Sequence, residues 1–545
     1  MTDRGGPRRP NVLWVSFEDC SPWFGCYGHP GIRTPNLDRL AAEGVRWTRA
    51  FTTAPVCAPS RSSVITGVHP VTLGTHHMRT TSLGPYAGMG VPSYEAVIPH
   101  YVRCFPEYLR AAGYWCTNDG KHDYQFNAPA TVWDETSNPW MADGTAHWRS
   151  RPDPDQPFFA VFNLPETHES RGWEGFFDDN DIDPESVVVP PYFPDTPKVR
   201  ASLARVHAAI EHNDARLGEI LEELAEDGLA DSTAVFVWTD HGPLPRGKRW
   251  PYDSGIHSPL IVRWPGVLDA GTVDDDLVSI MDLGPTVLSM AGVELPPYLH
   301  GRPFLGPAAA GPRDYVFVSR DRYDHMYDTV RASRDARWKY IRHAEPNQPY
   351  LGWNSFRNNH PIMQEMWRLH VAGELEGPPA AFMASTRPAE ELYDTEADPH
   401  EIDNLAADPA HREVLERHRR ALDDWQREVG DLGMVTERVM VEWMWPGGEQ
   451  PPTVAPTFTV LGGEYWGTEP SPDGGEFDGP VLIQLQSTTQ GASIGWTFDD
   501  AEEPNWLVYH EPIRIEPGTT VTLRALAHRI GYSPSAEVAA EFVVR

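Results

Sequence analysis

Four stretches of this chain place acids, a lysine or a histidine just beyond an apolar run. Glu18-Asp19 follows Asn11 to Phe17 (N-V-L-W-V-S-F), Lys121 follows Tyr114 to Thr117, His168 follows Phe158 to Leu164, and Asp240-His241 follows Ser232 to Thr239. One such ending means little, because charged residues often begin loops. Several together point to one site, since ligands of open α/β sheets bind beyond the carboxyl ends of the strands. Carboxylates gathered there repel one another unless a cation neutralises them, and lysines in the same pocket suit an anion. A further segment, Val56-Cys57-Ala58-Pro59-Ser60-Arg61, reads at its plainest as a buried cysteine in a loop entering a helix. If that helix begins near Pro59, Arg61 lies in its first turn beside Cys57, and the N-terminal amides add positive potential there.

The elements that must hold these residues alternate. Asn11 to Phe17 reads as a strand buried on both faces. Asn36 to Glu43 is amphipathic, with Pro35 before it and Gly44 after it. Phe105 to Ala112 repeats that pattern and leads into a short strand, and Ala201 to Asp227 is a long charged helix. Ser232 to Thr239 and Pro259 to Trp264 read as strands, and Leu277 to Ala291 as a helix on the sheet. The fold class expected is α/β, over residues 1–309. Residues 310–445 read as a smaller α+β part with strands at Tyr315 to Ser319 and Trp338 to Arg342 and a helix at Ala410 to Val429. Residues 446–456 have the composition of a linker. Residues 457–545 hold short β-rich runs separated by turn residues, the pattern of an all-β sandwich.

The run C-A-P-S-R-S-S-V-I-T-G from Cys57 to Gly67 resembles the sulfatase signature C-x-P-S-R-x-x-x-L-T-G, with Ile65 in place of leucine. Further segments carry the resemblance across residues 11 to 430: Val12 to Asp19, Thr34 to Asp38, Gly120-Lys121, Thr239 to Gly242, Lys248 to Gly266 and Glu391 to Asp394. The opening N-V-L-W-V-S-F-E-D and the run C-T-N-D-G-K-H-D-Y-Q-F look most like the heparan N-sulfatase-like branch. The tail resembles the fibronectin type III-like module at the C-terminus of chitobiases. The resemblance implies an alkaline phosphatase-like fold, a large mixed sheet flanked by helices.

It also implies a chemistry. Cys57 would be oxidised to formylglycine by a formylglycine-generating maturation enzyme. The aldehyde hydrate would attack sulfur, form a covalent sulfate ester and expel sulfate through its second hydroxyl. The matching metal ligands are Glu18, Asp19, Asp240 and His241 around Cys57, and calcium is the usual ion. Glu18 stands where aspartate is usual and His241 where asparagine is usual. Imidazole is a softer donor, so magnesium or manganese stays open, and His241 could instead bond a sulfate oxygen. Arg61 would orient the nucleophile, Lys121 and Lys248 would grip sulfate oxygens, and His168 would protonate the leaving group. Asp123 occupies the place of a usual histidine, with His122 as an alternative, and His257 stands where many relatives carry arginine. His257 would either face substrate or close a turn. Asp321 and Arg322 in R-D-R-Y-D are further candidates for substrate contact, and the aromatic insert Tyr350 to Trp367 either lines the pocket or packs.

Asp+Glu 78 against Lys+Arg 45 in 545 residues gives a formal net charge of −33. That argues against nucleic acid and anionic membrane surfaces as partners, and means that an anionic substrate needs a local basic pocket. No apolar stretch is long enough to span a bilayer, and the short apolar run after Pro10 ends in Glu18-Asp19 instead of a small-residue cleavage site, so a cytoplasmic chain is expected. The five cysteines lack disulfide or zinc-site spacing, and the four besides Cys57 are expected to be buried thiols. The expected activity is hydrolysis of a sulfate ester or sulfamate, with a small sulfated sugar as substrate. A phosphonate monoester or phosphodiester hydrolase of the same superfamily is one alternative. A non-catalytic carbohydrate-binding protein is the other.

Overall fold

The computed structural model describes residues 9–81, 89–139, 142–462 and 474–545. Six strands, β1 (Asn11–Phe17), β2 (Val45–Phe51), β3 (Trp115–Asp119), β4 (Phe158–Leu164), β5 (Thr233–Thr239) and β6 (His257–Arg263), form most of a nine-stranded sheet ordered β3-β4-β1-β5-β6-β2. Short strands at Glu135–Thr136, Thr272–Asp274 and Val278–Ser279 complete it at the edges. β3, β4, β1 and β5 are parallel, and β6 is antiparallel to β5 and β2, so the sheet is mixed.

β1 shows why the central strands read as continuous apolar runs. Leu13, Val15 and Phe17 point to one face, where Leu37 and Leu40 of α1 (Pro35–Glu43) and Leu203, Ile210 and Leu217 of a long helix (Pro197–Glu226) cover them. Val12 and Trp14 point to the other, against Val64 and Ile65 of α2 (Cys57–Thr66) and against Val287 and Leu288. Both faces are therefore dry, and the alternation of a half-exposed strand is absent. We call the long helix α3; Val287 and Leu288 belong to α4 (Leu283–Met290). The helix expected from Leu277 begins later, because Val278–Ser279 pairs with β2 and a single 3-10 turn, Ile280–Asp282, separates the two.

A second, antiparallel sheet joins Val316–Arg320, Val330–Arg334, Trp338–His343 and Glu390–Asp394, the last being the E-L-Y-D block. α5 (Arg412–Val429) packs Leu415, Leu422 and Trp425 onto Tyr340 and Leu392 of this sheet. The C-terminal region folds as a three-stranded and a five-stranded sheet sharing a core of Phe458, Ile483, Leu485, Leu523 and Phe542. It is docked on the first sheet's domain: Arg110 bonds both Asp134 and Asn505 at 2.7 Å, and Arg103 bonds Ser493 Oγ at 2.7 Å. The Pro-rich segment 446–456 is held as well, since Thr453 N donates to Ser533 O and Ser533 N to Pro451 O, each at 2.9 Å. All five cysteines are free; Cys20, Cys57, Cys104 and Cys116 are buried, and Cys26 is only half-buried. Among the described residues no helix is long and apolar enough to cross a membrane.

Candidate active site

The four charged endings converge because their strands are neighbours. Lys121, His168, Glu18-Asp19 and Asp240-His241 follow β3, β4, β1 and β5, which is the spatial order of the parallel strands, so all emerge at one sheet edge. Thr239 ties two of these ends together: its hydroxyl donates to Phe17 O at 2.6 Å and accepts from Cys20 N at 3.1 Å. Asp19 takes a left-handed backbone, φ 49°, and its N–H donates to Asp240 Oδ1 at 3.1 Å. The loop from Asp240 to Lys248 folds tightly on itself; a side chain at Gly242 would run into the Ser254 carbonyl, and one at Gly247 into those of Pro243 and Ser254. Glycine at both positions lets the loop turn Lys248 back over the strand ends.

Cys57 is the first residue of α2, a helix buried along its whole length. Its Sγ lies 3.1 Å from His241 Nε2, 3.8 Å from Asp19 Oδ1 and 3.9 Å from Glu18 Oε1. Four residues on, Arg61 donates through Nε to Asp240 Oδ2 and through Nη1 to Asn163 Oδ1, both at 2.9 Å. Ser60 Oγ donates to the Asp240 carbonyl at 2.7 Å. The first turn of the helix is thus pinned to the ends of β5 and β4.

Lysines enter from two sides. Lys121 pairs with Glu18 and lies 3.3 Å from Asp123, while Lys248 donates to Asp19 Oδ2 at 2.6 Å and lies 3.5 Å from His168 Nε2. His168 Nδ1 accepts the Ser170 backbone N–H at 3.3 Å. Ser170 Oγ lies 2.9 Å from the same nitrogen, so Ser170 holds the Nδ1 edge of the ring and leaves Nε2 on the pocket side, facing Lys248 and Asp19.

The electrostatics follow from this crowding. Burial opposes ionisation of Asp240, but His241 and Arg61 outweigh it and hold the carboxyl at about 2. For Asp19 burial is likewise overcome, by Lys248, His241 and His168, and the group stays well below the usual carboxylate range. Burial disfavours a charged His241, yet Asp240 and Asp19 push it well above an ordinary histidine. His168 moves the other way, lowered by burial and by Lys248.

A divalent cation fits the donor set. One ligand atom each from Asp19, Cys57, Asp240 and His241 lie within 4.8 Å of one another, all buried. His241 Nδ1 sits 2.9 Å from the Gly242 carbonyl, an acceptor only, so Nδ1 carries a proton and Nε2, 3.0 Å from Asp19 Oδ1, is the ring atom a cation would meet. Glu18, expected as a fourth protein ligand, stands beside this group with its carboxylate turned to Lys121.

The weaker candidates divide. His122 lies close by: its ring stacks on Tyr124, and burial, then Arg61, push it down to about 4. His257 does not reach the pocket. Its Nε2 lies 2.9 Å from the Thr48 carbonyl and its ring stacks on Phe51, so it braces β6 against β2. Asp321 and Arg322 also turn away from the cysteine: Asp321 pairs with Arg331 at 3.0 Å, and Arg322 forks onto both carboxylate oxygens of Glu437 at 2.7 Å. Each is a buried charge used up by its partner. Their neighbours Tyr323 and Asp324 are the ones near the site, Tyr323 packing with Val56, Cys57, Ala58 and Met78. From the aromatic insert Phe356 reaches the rim, with its ring 6.0 Å from that of His168.

Two further residues complete the site. Glu169 N donates to Asp19 Oδ2 at 2.7 Å, and its carboxylate takes both Nη atoms of Arg249 at 2.9 and 2.8 Å. Burial opposes its charge, but Arg249 and then Lys248 hold it at about 2. Asn163 receives Arg61; the signal for it was a lone amide in the run F-F-A-V-F-N-L.

Residues 10–293 match the family model described as Sulfatase, and residues 241–350 that described as N-sulphoglucosamine sulphohydrolase, C-terminal. The chain is 37% identical to an ulvan-active sulfatase of Formosa agariphila, over 97% of this chain and 91% of that protein, so the match runs into the C-terminal sandwich. It is 27% identical to the human N-sulphoglucosamine sulphohydrolase, over 78% of this chain and 91% of that one. The solved structure of the Bacteroides fragilis protein yidJ covers 79% of this chain and 98% of its own at a TM-score of 0.59 and 19% identity, a likeness of fold. With the signature cysteine, the acids of two strand ends and both lysines brought into one buried pocket, and a family model matching more than half the chain, this protein belongs to the sulfatase family.

Proposed function

We propose that the protein removes sulfate from a sulfated saccharide, as an ester or a sulfamate, with Cys57 converted to formylglycine and a calcium ion held by Asp19, Asp240 and His241, with Glu18 turning in from Lys121. The observation that carries the reading is the position of Cys57: first residue of a buried helix, 3.1 Å from His241 Nε2 and within 4 Å of two carboxylates. The names of two relatives, an ulvan-active sulfatase and a sulphoglucosamine sulphohydrolase, support a saccharide.

Formylglycine supplies a hydrated aldehyde whose two hydroxyls take and then release the sulfuryl group. The cation supplies the positive charge that lets acids and a sulfate share one pocket. The rest is done by the chain's own side chains. Arg61 locks the Asp240 carboxylate so that it faces Cys57, and the open end of α2 turns its amides toward the anion. Lys121 and Lys248 bring ammonium donors from opposite sides to sulfate oxygens, where developing negative charge is stabilised by fixed donors in a dry site. His168 presents Nε2 to the pocket, and from that atom it gives a proton to the leaving oxygen or nitrogen.

The test is mass spectrometry of the Cys57 peptide from protein made together with a formylglycine-generating enzyme, the partner this reading requires. The peptide should be lighter by about 18 Da, the difference between thiol and aldehyde, and the protein should release inorganic sulfate from an aryl sulfate faster than it cleaves an aryl phosphate diester. An unmodified thiol would overturn the mechanism, and a preference for the phosphodiester would reassign the reaction.

A further inference from the structure

Met78 and Tyr323 pack on Cys57 in one buried cluster, and the residues that follow them pair with each other. Those two residues are Arg79 and Asp324, both in the left-handed backbone region at φ 58° and 51°. Non-glycine residues rarely adopt that conformation, and such strain persists where surrounding structure enforces it, commonly around functional sites. The two segments are zipped together by Met78 N donating to Arg322 O at 2.8 Å. Arg79 Nε then meets Asp324 Oδ1 at 2.7 Å, while the other Asp324 oxygen accepts from Asn354 Nδ2 at 2.6 Å. Asp324 is wholly buried and Arg79 is 34% exposed, so the acid works as an anchor and the arginine as the presented group. Among the described residues no acceptor is bonded to the Arg79 Nη atoms.

The position of that guanidinium is specific. Its Cζ lies 5.5 Å over the ring of Phe356, whose other neighbours are Trp173 at 4.9 Å and His168 at 6.0 Å. Phe356 is therefore in contact with both the proposed proton donor and a fixed cation. A sugar whose leaving atom meets His168 would carry its neighbouring substituents toward Phe356 and Arg79. A guanidinium fork matches a carboxylate or sulfate through two parallel hydrogen bonds. A chain of net charge −33 repels a polyanion overall, so a cation at the rim is needed to admit one.

We propose that Arg79 is a specificity-determining residue that binds a second anionic group, a carboxylate or another sulfate, on the saccharide carrying the scissile sulfate. The proposal rests on the sulfatase reading above and names its substrate class. It is tested by measuring kcat/KM for the formylglycine-containing protein and its Arg79→Gln and Arg79→Lys variants on three probes: an aryl sulfate with no other charge, a sulfated disaccharide bearing one uronate, and a monosaccharide disulfate. Arg79→Gln should lower the ratio of charged-sugar to aryl-sulfate kcat/KM about 30-fold, and Arg79→Lys should recover part of it. A fall confined to the uronate identifies a carboxylate, and one confined to the disulfate identifies a second sulfate. A folding defect would depress all three probes alike, so a ratio unchanged in Arg79→Gln overturns the proposal, as does a wild-type protein that cleaves the aryl sulfate but neither charged sugar. A wild-type protein that cleaves none of the three refutes the sulfatase reading and this proposal with it.

Discussion

Glu169→Gln is the perturbation that best separates the site's architecture from its chemistry. Glu169 and Arg249 have side chains 0% and 2% exposed and share two hydrogen bonds of 2.9 and 2.8 Å. Glutamine fills the same volume, accepts one of those bonds and turns its amide against the other, leaving an uncompensated guanidinium in the interior. Unpairing a buried ion pair in this way costs about 3–5 kcal/mol. The lower end applies here, because Arg249 keeps the Tyr323 hydroxyl at 3.1 Å and the Tyr323 ring 4.4 Å away. A loss of about 3 kcal/mol shifts the folding equilibrium roughly 100-fold. The assay is urea denaturation of the full chain, followed by tryptophan fluorescence, for wild type, Glu169→Gln, Arg249→Met and the double variant. Removing both charges should leave the double variant more stable than Glu169→Gln alone, since no buried charge then stands unpaired. A single variant within 1 kcal/mol of wild type by the same measurement, or a double variant no better than the single, would refute the argument that the pair is a buried, mutually dependent charge.

Other outcomes follow from the same geometry. Arg61→Lys cannot span Asp240 and Asn163 at once, so kcat should fall about 100-fold while mass spectrometry still finds the modified Cys57. Chelation with EDTA should abolish sulfate release and lower the thermal midpoint in scanning fluorimetry, and added calcium should restore both better than magnesium does. Asp431 gives a pH test away from the pocket: burial opposes its charge, but Arg331 more than offsets this and lowers it from 3.8 to about 2. A depressed folded pKa means stability present above the unfolded value and lost as pH falls through the folded one. Asp431→Asn should therefore cost about 2 kcal/mol at pH 6 and roughly half of that at pH 3, read by chemical denaturation at both values.

How much of this was legible in the chain differs by residue. β1, β4 and β5 stand out because burial on both faces writes a continuous apolar run, and their charged endings mark the ligand edge of a parallel sheet. The start of α4 was missed because an apolar run does not say where an edge strand stops and a helix begins. Asp321 and Arg322 read as candidates for substrate contact, since nothing local announces Arg331 or Glu437 as their partners. Glu169 and Arg249 were passed over for the same reason, standing 80 positions apart in the chain.

By itself the sequence determined which side chains could carry the chemistry and which segments would carry them, because strand and helix patterns and the signature around Cys57 depend on neighbours a few positions away. Only the tertiary structure decided which charges meet. Strand order set Lys121, His168, Asp19 and Asp240 along one edge. Met78 and Tyr323 packed on the cysteine and set Arg79 against Asp324, while Arg322, next to Tyr323, was turned inward to Glu437. A buried charge persists only beside a partner, and the partner's place in space is a property of the packed chain as a whole.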